Sequence, residues 1–117
     1  MHLAADFVVA FVALLHAWFL VLEMFLWTKP LGRRVFQLTP EFAAASKKLA
    51  MNQGLYNGFL VAGLVWGLAS GDFHVKIFFL ACVFVAGVFG AWSLGNRKVF
   101  FVQAFPALMA LILLHLH

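Results

Sequence analysis

Glu23, His16 and a run of amides are the residues of this sequence whose chemistry is least in keeping with their surroundings. Glu23 and His16 lie seven positions apart in one long apolar run, so on a helix they differ by only ~20° about the axis. Asn52, Gln53, Tyr56 and Asn57 crowd into a second apolar run, and Gln103 stands in another near the C-terminus. A carboxyl can hold a proton or meet a cation, an imidazole can carry a proton near neutrality, and amides bond in both directions. These seven residues are the candidate ligand-binding set. Glu23 and His16 are also the candidate acid and base, should the chain catalyse a reaction.

Other chemistries find less support. His16 and Glu23 are too far apart along one helix to chelate one ion, and no Glu-x-x-His pair exists. His115 and His117 are two apart and point to different sides of a helix. No metal and no cofactor are expected. No nucleophile–base triad or phosphate-cradling glycine loop can be assembled. Cys82 is the only cysteine, which excludes an intrachain disulfide.

The elements that must hold the polar residues are apolar throughout. Of 117 residues, 66% are hydrophobic and only 10% charged, against about 25% charged in ordinary soluble domains. So short a chain cannot bury that much apolar surface in a soluble core. The composition excludes a water-soluble enzyme, a disulfide scaffold and a disordered segment. The excess of eight Lys and Arg over four Asp and Glu falls in short clusters between apolar runs, where membrane orientation explains it better than nucleic acid does.

Four runs are long enough for the ~20 helical residues that a bilayer core requires. They predict spans at about 3–28, 41–69, 75–94 and 98–116 within a single transmembrane domain, residues 1–117. Continuous apolar runs without period-two alternation oppose a barrel. Thr39-Pro40-Glu41 reads as a helix start, and Ser70-Gly71-Asp72 and Gly95-Asn96 as short turns. The expected fold is all-α, a four-helix transmembrane bundle running up-down-up-down. The first run lacks a basic leader and is read as a retained helix.

Lys29, Arg33, Arg34, Lys47 and Lys48 between the first two runs, with Arg97 and Lys98 before the last, put the basic residues on one side; Lys76 stands alone on the other. The positive-inside rule then places loops one and three in the cytoplasm and both termini outside, in the cytoplasmic membrane. Glu23, Asn52 and Gln103 each lie four to six residues from a basic residue at that side, which predicts one polar layer ~6–9 Å beneath the interface. Gly54 with Gly58, and Gly63 with Gly67, would let the second span approach two neighbours closely.

Two segments are distinctive together: Leu22-Glu23-Met24-Phe25-Leu26-Trp27, and Asn52-Gln53-Gly54-Leu55-Tyr56-Asn57-Gly58-Phe59-Leu60. They resemble a family of small bacterial membrane proteins, domain of unknown function 1304 (DUF1304). The resemblance implies a compact four-helix integral membrane protein of about this length, and no activity, substrate or catalytic residue. Three functional readings follow from the residues. The first is a pocket around Glu23 that binds a small amphipathic or lipid-like molecule, with a link to protons. The second is a membrane enzyme using Glu23 and His16 on such a molecule. The third is a non-catalytic accessory subunit or homo-oligomer packed through its glycine faces. Membrane lipid is the expected partner in all three, and nucleic acid in none.

Overall fold

The computed structural model describes residues 2–116; His117 lies outside them. Among the described residues the chain is helical and has no strand. The elements are α1 (His2–Met24), α2 (Pro30–Phe36), α3 (Pro40–Ser70), α4 (Phe73–Leu94), α5 (Arg97–Val99), a π-helical stretch (Phe100–Ala104) and α6 (Phe105–His115). Three helical segments are long and apolar enough to cross a membrane: Leu3–Met24, Phe73–Leu94 and Arg97–His115. With 31 residues α3 is longer than any of them. Its polar stretch from Asn52 to Asn57 dilutes its apolarity.

Local chemistry explains the boundaries. The Thr39 hydroxyl accepts from the Phe42 N–H at 3.1 Å, and Pro40 opens α3 where its missing N–H costs nothing. Asp72 caps α4 by accepting from the N–H groups of His74 (2.9 Å) and Val75 (3.2 Å). Gly95 closes α4 with a φ of 63°, a conformation that glycine adopts without steric cost. The first helix stops at Met24 rather than near residue 28. Lys29 is extended, as a residue before proline prefers to be, and Pro30 begins the short α2 that the sequence pattern did not reveal. Near the C-terminus, Pro106 lacks the N–H of a regular helix. Just upstream the backbone runs in π register, with the Phe105 N–H bonded to the Phe100 carbonyl.

The chain forms two compact units. One comprises the chain up to Leu14 and from Ala62 onward; the other runs from Leu15 to Val61. In the first, Ala5, Val9 and Val12 of α1 and Leu80 and Val83 of α4 are wholly buried. Small residues bring its helices together. A Cβ on Gly87 would lie 2.6 Å from the Ala104 N, and one on Gly63 would strike the Phe79 ring. In the second unit, the end of α1 packs on α3, and the turn that follows it packs on α2. A Cβ on Gly32 would collide with the Leu26 carbonyl, and the Trp27 ring sits 4.9 Å from that of Phe36. The Trp27 indole N–H donates to Ser46 Oγ at 3.0 Å, fixing the chain between α1 and α3.

Large apolar side chains remain on the outside. Leu3, Phe7, Phe11, Leu14 and Trp18 are all exposed and recur at helical spacing along α1. Contiguous apolar surface on this scale suits lipid and not water.

Candidate functional site

Within the Leu15–Val61 unit, α1 and α3 meet at Glu23. Asn57 Nδ2 donates to Glu23 Oε1 at 2.6 Å, a short bond as expected with a carboxyl acceptor. Asn57 is 4% exposed, while Glu23 is only half-buried. The helices can come this close because Gly54 faces α1. A Cβ there would meet the Met24 side chain and lie 3.4 Å from the Glu23 Cβ. One turn on, a Cβ on Gly58 would lie 3.1 Å from Leu20 Cδ1. The two glycines and Asn57 together seat α3 on the carboxyl-bearing side of α1.

The other candidate residues are placed differently. His16 is fully buried, with its ring edge-on to Phe19 at 5.3 Å. A rise of about 10 Å along α1 separates it from Glu23, so no proton passes between them directly. Asn52, Gln53 and Tyr56 are exposed, and the Tyr56 ring packs edge-on against Phe59 at 5.8 Å. They do not join the buried contact with Glu23 that their spacing suggested. The reason is the phase of α3, whose inward line runs through Ala50, Gly54, Asn57 and Leu64. Gln103 belongs to the other unit, where it is half-buried in the π-helical stretch. His115 Nδ1 lies 2.7 Å from the Leu111 carbonyl, and its ring is edge-on to Phe73 at 5.3 Å. Among the described residues no three His, Cys, Asp or Glu side chains gather as a metal-binding group.

The sequence reading missed one polar contact. In the first unit, Lys76 Nζ pairs with Asp6 Oδ1 at 2.8 Å, and the lysine side chain is only 9% exposed. Gly67 makes room for it, since a Cβ there would come within 2.8 Å of Lys76 Cγ. The signal was present in the charges: each residue is a lone charge at one end of an apolar run. Opposite charges at such positions are expected to find one another.

The profile of a family described as "Protein of unknown function (DUF1304)" matches residues 10–115. An "Uncharacterized protein YpaA" of Lactococcus lactis subsp. lactis (strain IL1403) is 29% identical over 105 residues, covering 86% of this chain and 87% of that protein. No solved structure matches the chain.

Proposed function

The chain belongs to the DUF1304 family, and from the geometry of its own residues we propose that it is a multi-pass membrane protein that binds small amphipathic amines at Glu23. In this reading α3 is the fourth crossing, the helices form an up-down-up-down bundle, and loops one and three face the cytoplasm. The three apolar helices support membrane residence, and the segregation of basic residues supports the orientation. Glu23 then lies in the cytoplasmic leaflet of the cell membrane.

The observation that carries the proposal is the half-buried Glu23 carboxyl, held by Asn57 and paired with no cation. Among the described residues the one ion pair is Asp6–Lys76. A carboxyl in an apolar setting lowers its free energy by meeting a positive group, and an amine carried on an alkyl chain brings that group from the lipid phase. Asn57 fixes one oxygen, leaving the carboxyl oriented for the ligand. The apolar outer faces of α1 and α3 would receive the chain.

Dodecylamine titrated into the purified protein in detergent tests this reading, with dodecanol as the uncharged comparison. The amine is expected to bind and the alcohol to bind at least about tenfold more weakly. Glu23→Gln should abolish that preference while retaining the helical fold, because the amide still accepts from Asn57. Equal binding of both probes, or an unchanged preference in Glu23→Gln, would reduce Glu23 to a tie between α1 and α3.

A further inference from the structure

A groove of about 600 Å³ opens where α4 ends and α5 begins, wholly within the unit that contains both. It is an open groove on the surface, with Trp92 and Phe101 of its walls largely exposed. The walls are apolar: Val88, Ala91 and Trp92 from α4, and Phe101 from the π-helical stretch. Asn96 and Arg97 close one end. Val88 and Gly95 are seven residues apart, so the groove follows α4 for about 10 Å inward from its last turn.

The polar end is not neutralised by the protein. Arg97 makes no ion pair and no side-chain hydrogen bond among the described residues. Asn96 uses its Oδ1 to accept from the Lys98 N–H at 2.9 Å, which leaves its Nδ2 as a donor on the exposed side. A free guanidinium fork and an amide donor therefore head an apolar trough lined by aromatic rings. The trough begins at the end of one apolar span and continues beside the start of another. That is the level at which a bilayer changes from headgroups to acyl chains.

We infer that this groove is a site for one anionic phospholipid. The guanidinium and Asn96 hold the headgroup phosphate, and the first stretch of one acyl chain lies against Trp92, Val88 and Phe101. Charge complementarity selects the anionic class, since a planar fork bonds two phosphate oxygens at once. The π register shapes the wall by setting where Phe100 and Phe101 project, and such stretches often mark sites of function. The inference rests on residues other than Glu23, so the amine proposal can fail without it.

Native mass spectrometry of the purified chain with dioleoyl phosphatidylglycerol tests it. One lipid should be retained per chain. Arg97→Gln should lower the retained fraction about fivefold or more, whereas Lys98→Gln, an equal loss of charge beside the groove, should leave it within about twofold. Ala91→Trp, which fills the groove, should expel the lipid without removing any charge. Equal losses from Arg97→Gln and Lys98→Gln would mean diffuse attraction and overturn the site. So would full retention by Ala91→Trp. Glycerol phosphate competing as well as the lipid would make the acyl contact irrelevant and also contradict the assignment.

Discussion

Asp6 and Lys76 form a contact whose two halves are unequal. The Lys76 side chain is 9% exposed and that of Asp6 is 40% exposed. Asp6→Asn leaves an ammonium buried without its counter-charge and should cost about 3 kcal/mol. Lys76→Met leaves a carboxylate that water and headgroups can reach, and should cost about 1 kcal/mol or less. The double variant should recover most of the loss. Thermal melting in detergent reads all three, and equal destabilisation by both single variants would show that the pair acts symmetrically. At this scale the sequence was legible in residue types but not in rotation. Glu23 and Asn57 were both singled out, and they touch. Asn52, Gln53 and Tyr56 were grouped with them because α3 carries small or polar residues on several faces, so no apolar stripe sets its phase. The Gly54 side of α3 was expected to meet a close neighbour, and that neighbour is α1, at Leu20 and Met24.

Elements were easier to read, because backbone satisfaction in lipid leaves long apolar runs little choice but helix. What escaped were the short α2 and the π-helical stretch. Pro30 starts α2, and Gly32 lets it press on the Leu26 carbonyl. The glycines therefore differ in what a methyl group would meet, and this predicts a ranking. At Gly87 the obstacle is the Ala104 backbone, which cannot move aside, so Gly87→Ala should cost about 1–3 kcal/mol through overpacking. At Gly58 the nearest atom is the tip of the Leu20 side chain at 3.1 Å, which can rotate. Gly58→Ala should fall within about 0.5 kcal/mol of the parent, since alanine also regains helix propensity. Melting temperatures of the two variants check the order, and a reversed order would mean that α4 and the π-helical stretch are less closely packed than described.

For the molecule as a whole, composition alone pointed to lipid, and the exposed apolar line on α1 agrees with it. The number of crossings depends on α3, whose amides weaken its apolarity while its 31 residues exceed what a ~30 Å bilayer core needs. If α3 crosses, the basic segments around α2 and α5 lie on one side and the turn after Ser70 on the other, with Glu23 in the cytoplasmic leaflet. The most direct measurement is labelling of intact cells with a membrane-impermeant thiol reagent in a Cys82→Ala background. Ser70 serves better than Gly71 for the outer probe, because Gly71 has a φ of 67° that a side chain would strain. Ser70→Cys is expected to be labelled, and Arg34→Cys and Lys98→Cys to be protected until the cells are opened. Labelling of Arg34→Cys with protection of Ser70→Cys would invert the orientation. Arg34→Cys and Ser70→Cys labelled or protected alike, with Lys98→Cys showing the opposite, would remove α3 from the membrane, and with it the intramembrane setting of the Glu23–Asn57 contact.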